Sequence, residues 1–424
     1  MNTPSRAPRA ALASGALLAA VALSACGTAS STASSSAGGG AASSASSAST
    51  SATSSSTSAA SPSASVASST TSAPATTASG GTTPTGGPVP SGFAATSVTF
   101  VSTQEAFVLG TAPCAKAPCT SILRTLNRGA SWNGLPAPVV ALGDARSGTA
   151  GPAVWGIRFA SPSVGFVFGN GLWETTDGGE QWAPAPSPGG SIESLEIIDG
   201  QVLALTDACT ANGGCALTGA LVRRPLAGGG WHRVASVSEP GSIATQARVA
   251  AVLNGDSVIV TTNGGLSTVT YPTACTGRGL SAPAAVAVTG PDGLALECAG
   301  DAAAGSVDKT VYVSDNLGAS WQKAGSPARG GDPEGLSAGS ATQLVSSAAS
   351  GASMLYYSGD GGAQWSTAYY QGDGGLGFND LGFTTATDGV VVYAPVLSDN
   401  NAEGRPGKLL LSSNGGASWQ PVTF

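Results

Sequence analysis

The chain has 424 residues, a formal net charge of −7 and only 10% charged side chains, and before residue 100 the only charges are Arg6 and Arg9. An acidic balance that falls entirely on the later part of the chain excludes nucleic acid as a partner, because gripping a phosphate backbone takes a basic surface. The 61 glycines and scarce charges suit a fold of short strands and many turns.

Residues 1–26 read as an export signal, with Arg6 and Arg9 ahead of an apolar run, 10–23, that is too short to persist as a bilayer-spanning helix. Its end, Leu23-Ser24-Ala25-Cys26, resembles a bacterial lipobox, which implies that Cys26 is lipidated and becomes the mature N-terminus. The implied location is extracytoplasmic, lipid-anchored to the bacterial cell membrane, where two or more acyl chains hold a protein stably. Residues 27–92 are almost wholly Ser, Ala, Thr, Gly and Pro without a charge. Lacking apolar volume for a core, they are predicted to be a disordered tether with a root-mean-square reach of roughly 45 Å.

From residue 93 to 424 one eight-residue phrase recurs, Ser/Thr-x-Asp/Asn-x-Gly-x-x-Trp. Near-complete copies run from Thr125 through Asn127 and Gly129 to Trp132, and from Thr175 through Asp177 to Trp182. Others run from Ser314 through Asn316 to Trp321, Ser358 through Asp360 to Trp365, and Ser412 through Asn414 to Trp419. Two copies are decayed: Asn263 sits in a phrase with Thr268 in place of Trp, and the stretch 224–231 keeps only Gly228 and Trp231. The framing glycines are 50, 49, 37, 53, 44 and 54 residues apart, which suits one four-stranded blade per repeat and predicts an all-β propeller, with seven blades favoured over six. The phrase makes sense as a tight turn: the Asp or Asn side chain bonds backbone amides, Gly takes a positive φ, and Trp opens the next strand by packing on the blade. Its role is structural.

These phrases resemble the Asp-box, or bacterial neuraminidase repeat (BNR), propellers, a group that includes sialidases, other glycosidases, sortilin-type receptors and photosystem II assembly factors. In that group each box joins the third strand of a blade to the fourth. The resemblance therefore implies strands at 97–101, 106–110 and 121–125 in blade 1, with the boxes on one face of the ring. Second-to-third loops and blade crossovers lie on the other. The long insertions 111–120, 208–216, 299–308 and 395–407 then all decorate that second, looped face. Of the seven cysteines, Cys26 takes the lipid, and six remain for an exported protein's disulfides: Cys114, Cys119, Cys209, Cys215, Cys275 and Cys298. Fifteen pairings are possible on paper; the topology favours Cys114 with Cys119, Cys209 with Cys215 and Cys275 with Cys298, all on the looped face. Ring closure rests either on packing of blade 7 against blade 1 or on a strand borrowed from 89–93.

Catalysis finds little support. Sialidases of this group hold the substrate carboxylate with an arginine triad, the first in a Phe/Tyr-Arg-Ile-Pro phrase before the first box; here the nearest approach, Gly156-Ile157-Arg158-Phe159, lacks the Pro and falls in blade 2. A different glycosidase needs two carboxylates across a cleft, for which Asp144, Glu239, Asp332, Glu334 and Asp373 are candidates. The lone histidine, His232, argues against a His-based triad or metal site. No cofactor is expected; a loop-bound Ca²⁺ near Asp399 or Asp373 stays open.

Trp155, Trp173, Tyr369 and Tyr370, with Arg146, Arg158, Arg278 and Arg329, form the candidate binding surface on the looped face, suited to sugar rings or a peptide; the alternative for Trp155 and Trp173 is filling the space between blades. The reading is a monomeric, membrane-anchored recognition module for an envelope glycan or protein. Alternatives are a glycoside hydrolase or lyase on the same face, or an assembly scaffold like the photosystem II factors.

Overall fold

Five-residue runs such as Gly165–Gly169 and Gly389–Tyr393 are buried at every position, so both faces of the strand must be covered by neighbouring sheets. Repetition of such runs between turns generates stacked blades. The computed structural model describes residues 86–424 apart from 144–150, 210–214, 239–240, 263–264, 276–281 and 397–405. The expected signal, Cys26 and the tether as far as residue 85 lie outside the described residues, whereas 86–92 lead into blade 1 with Gly87 bridged to Gly134.

Seven antiparallel sheets follow one another in chain order. Blade 1 consists of β1 (Ala94–Phe100), β2 (Ala106–Thr111), β3 (Thr120–Thr125) and β4 (Asn133–Leu135). Blade 2 has β6 (Ala153–Phe159), β7 (Gly165–Gly169), β8 (Leu172–Thr175) and β9 (Ala183–Pro184), with β5 (Ala141–Leu142) added in parallel beside β6. Blade 3 contains β10 (Ile192–Ile198), β11 (Gln201–Cys209), β12 (Cys215–Pro225) and β13 (His232–Ser238). In blade 4, despite its degenerate boxes, β14 (Ile243–Gln246), β15 (Val249–Asn254), β16 (Ser257–Thr262) and β17 (Gly265–Thr270) form a complete sheet. Blade 5 is β18 (Ala282–Val288), β19 (Leu294–Ala303), β20 (Ser306–Ser314) and β21 (Gln322–Gly325). Blade 6 is β22 (Asp332–Ala338), β23 (Leu344–Ala349), β24 (Gly351–Ser358) and β25 (Ser366–Gly374), and blade 7 is β26 (Phe378–Phe383), β27 (Gly389–Tyr393), β28 (Lys408–Ser412) and β29 (Gln420–Pro421). In each blade the first strand is innermost. Seven blades are therefore present, and each near-complete phrase joins the third strand to the fourth.

The core is distributed over the seams. Phe107 of blade 1 stacks on Phe159 of blade 2 with ring centroids 3.6 Å apart, and Val249 and Val260 of blade 4 pack with Val286 and Leu296 of blade 5. The seam between blades 5 and 6 is made of smaller side chains, among them Ala285, Ala287, Ala295 and Ala338.

The ring closes by packing, with no strand borrowed from 89–93. Just before that stretch, Gly87 forms an isolated bridge to Gly134 on β4. Backbone bonds from Ala95 N–H to Gly407 O (2.7 Å) and from Val396 N–H to Ala95 O (3.0 Å) stitch β1 to the β27–β28 connection. At the outer edge Phe424 sets its ring against Phe93 and Trp132, 5.0 and 5.3 Å away. One predicted loop is corrected. Residues 299–308 continue β19 and β20 as a long hairpin around Ala304 and Gly305, both in the left-handed region at φ 45° and 78°, because two positive φ values suit a two-residue turn to the right-handed strand twist.

Candidate functional site

The phrases perform the turn chemistry expected of them, with one addition. The Thr125 hydroxyl accepts from Gly129 N–H at 2.8 Å, and Asn127 Oδ1 accepts from Ser131 N–H at 2.8 Å. The same two bonds, all at 2.8–3.0 Å, recur at Thr175 and Asp177, Ser314 and Asn316, Ser358 and Asp360, and Ser412 and Asn414. The framing glycines of these copies stand at φ 81° to 96°, where a Cβ would be strained. The leading Ser or Thr is thus an acceptor of equal standing to the Asp or Asn. Asn263 lies outside the described residues. Three tryptophans clip neighbouring blades: the indole N–H of Trp182, Trp231 and Trp321 donates to Pro136 O, Pro186 O and Thr270 O at 2.9–3.1 Å. The decayed blade 3 phrase carries Arg224 where the hydroxyl belongs. Its guanidinium reaches Glu174 of blade 2 at 2.9 Å and lies over the rings of Phe166 and Trp231.

The axis of the ring holds a charged hub that the sequence did not disclose. Arg158, on inner strand β6, donates from Nε to Glu196 on β10 at 2.8 Å and from Nη2 to Asp380 on β26 at 2.7 Å. Asp380 Oδ2 also accepts from the Ser97 hydroxyl at 2.5 Å and from Val98 N–H at 2.8 Å, so side chains or backbone of blades 7, 1, 2 and 3 meet here. Burial alone would favour losing the Arg158 proton, but the Asp380 and Glu196 carboxylates override it and raise its pKa. Burial pushes the Glu196 carboxyl up despite the opposing pull of Arg158.

The looped face carries both disulfides seen among the described residues, Cys114–Cys119 and Cys275–Cys298, as the topology led us to expect. Cys209 and Cys215 are register partners across β11 and β12. The candidate binding residues do not all stay on this face. Arg158 is spent in the hub. Trp155 is half-buried in the seam of blades 2 and 3, its indole nitrogen buried without a hydrogen-bond partner, and Trp173 is half-buried in the seam of blades 1 and 2. Tyr369 packs edge-on against Phe378 and Tyr393, whereas Tyr370 is 65% exposed. Arg329, in the crossover to blade 6, is half-exposed and pairs with Asp308 near the tip of the hairpin at 3.0 Å. Arg146 and Arg278 lie outside the described residues.

The candidate carboxylates have mostly structural work. Asp373 accepts from Ser353 Oγ at 2.9 Å, Tyr393 Oη at 2.7 Å and Gly375 N–H at 2.8 Å. Burial would raise its pKa, but these hydrogen bonds outweigh burial and hold it below the usual range, the reverse of what a general acid needs. Glu334 accepts from Phe378 N–H at 3.1 Å, and Asp332 is exposed at the start of β22. Asp144, Glu239 and Asp399 lie outside the described residues. Among the described residues no group of three or more His, Cys, Asp or Glu side chains could hold a metal ion, and no helix is long and apolar enough to cross a membrane.

No protein-family model and no curated protein matches the chain. Among solved structures, YCF48 bound to D1 peptide is similar with a TM-score of 0.51 at 16% identity, covering 77% of this chain and 95% of that one. YCF48 from Cyanidioschyzon merolae gives 0.51 at 14% identity, covering 77% and 97%. The Niastella koreensis GH74 enzyme gives only 0.28 at 12% identity, covering 77% and 71%. At such identities the likeness is one of fold alone. The chain is a seven-bladed β-propeller of the architecture shared with YCF48.

Proposed function

We propose that this protein is an exported, lipid-anchored recognition module of the Asp-box type that holds an extended segment of a partner protein on its looped face. The observation that carries this reading is the distribution of cross-links. Disulfides tie the 112–119 loop and, through Cys275, the segment that follows β17, both on the looped face, while near-identical turns close much of the opposite face. Covalent bracing of exposed connections keeps a working surface in shape outside the cell. YCF48, which shares this architecture, is described as bound to D1 peptide, which supports a protein ligand here. Cys26 supplies the anchor, and Cys26→Ser is expected to move the protein from the membrane to the soluble fraction.

The test is site-specific photo-crosslinking in intact cells. A benzophenone amino acid is placed on the looped face at Lys116 or Ala303, and on the box face at Glu180 or Gln364, all exposed positions. Protein adducts from the looped-face positions alone support the proposal. Adducts confined to the box face would overturn it, and so would release of reducing ends from envelope glycans by the purified chain above a boiled control.

A further inference from the structure

The seam between blades 5 and 6 contains a carboxylate that no part of the binding reading uses. Glu297, on β19, has no exposed surface. Among the described residues, the group that donates to it is the hydroxyl of Ser346, on β23 of the next blade, 2.9 and 3.1 Å from its two oxygens. One hydroxyl proton shared between two oxygens is little compensation for a buried negative charge. The cation that acts on it, Lys309 on β20, is 1% exposed and already committed. Its ammonium donates to the carbonyls of Val307, Arg329, Gly330 and Gly331 at 2.8–3.1 Å. Those bonds tie the hairpin of β19 and β20 to the crossover into blade 6, and Tyr356 Oη donates to the same Gly330 carbonyl at 2.9 Å.

We propose that Glu297 is a proton-operated latch on the blade 5–blade 6 seam, closed when protonated and loosened when ionised, and that it controls the hairpin on the looped face. The mechanism is competition. A protonated Glu297 leaves the Lys309 ammonium to the four carbonyls, whereas an ionised Glu297 offers it a stronger partner and draws it away from Arg329, Gly330 and Gly331. Other titratable side chains on the surrounding elements are Asp308 and Tyr312 on β20, Arg329 in the crossover, Asp332 and Glu334 on β22, and Tyr356 and Tyr357 on β24. Neither β18 nor β23 carries one. Burial pushes the Glu297 carboxyl up to about 7, with the Ser346 hydrogen bond and Lys309 opposing it only in part. Because the folded pKa is raised above the ordinary carboxyl value, the folded chain keeps a proton that the unfolded chain releases, and stability falls as pH rises from about 4.5 to about 7. The latch is then strongest in an acidified surrounding and weakest above neutrality. It operates whichever partner the looped face takes.

The test is amide hydrogen exchange on the full chain at pH 5.5, 7.0 and 8.5, corrected for the intrinsic rate, following peptides that cover 294–314 and 326–349. Protection in both peptides is expected to fall as pH rises, by about 30-fold between pH 5.5 and 8.5, while peptides of blades 1 and 2 stay level. Glu297→Gln should abolish the dependence, and Ser346→Ala should steepen it by removing the one hydroxyl donor. A level profile in the parent chain, or an unchanged slope in Glu297→Gln, overturns the proposal. Should Glu297→Gln fail to fold, an unchanged slope in Ser346→Ala does so instead.

Discussion

Arg158 is the most exacting place to test how the ring holds together. Replacing it with Met keeps much of the side-chain length and removes the guanidinium, leaving Glu196 and Asp380 facing a site from which their shared cation has gone. The three side chains are only 17–19% exposed, so solvent screens the loss weakly. Asp380 keeps its bonds from Ser97 and Val98 N–H, which limits the damage on that side. Removing one member of a buried ion-pair network costs about 3–5 kcal/mol, and the retained bonds put Arg158→Met near the lower end. Urea unfolding followed by tryptophan fluorescence at pH 7.5 measures this directly. The defect should shrink as pH falls, because the stranded Glu196 takes up a proton in the folded state and its repulsion with Asp380 is relieved. Burial already raises the Glu196 pKa with Arg158 present, and without it the rise is larger. Adding Glu196→Gln and Asp380→Asn to Arg158→Met should recover much of the loss at neutral pH. A cost below about 1 kcal/mol, or a defect that does not change with pH, would refute the claim that this hub joins blades 7, 1, 2 and 3.

Thr175→Val leaves the Gly179 N–H without its 2.9 Å acceptor and should cost about 1–2 kcal/mol in the same unfolding assay, whereas Thr175→Ser should be nearly neutral; equal effects would sink the role given to the leading hydroxyl. Selective loss of the Cys275–Cys298 bridge, which spans 23 residues, should lower stability by about 3 kcal/mol on chain-entropy grounds, against about 2 kcal/mol for Cys114–Cys119, which spans 5. Paired Cys→Ser variants measure both, and the opposite ranking would contradict loop closure as the dominant effect.

Legibility in the sequence tracks the range of the interactions. Each repeated phrase is closed by bonds that span four residues, so the residues that make the turn are the residues that spell it. That locality is why the blade count could be inferred before any coordinates, while the strand order around each turn and the face on which the turns lie came from the resemblance to the Asp-box propellers. Local disulfides share this property: Cys114 and Cys119 bracket one connection, and their pairing needed only its ends placed.

The hub could not be read in this way, because Arg158 meets Asp380 across 222 residues and Glu196 across 38, and nothing local marks either carboxylate as its partner. Trp155 and Trp173 show the same limit from the other side. An indole at the end of a blade looks alike in sequence whether it faces a ligand or fills a seam, and packing of adjacent blades placed both in seams. Glu297 did carry a signal, a charge inside the apolar run at the start of β19, but whether such a group is paired, capped or strained is set by the next blade. What this sequence by itself determined was the repeating unit, since turn geometry is a matter of neighbouring residues. How seven units close into a ring, and which charges are trapped where they meet, was decided only by the tertiary structure, because burial and pairing between blades depend on atoms brought together from distant parts of the chain.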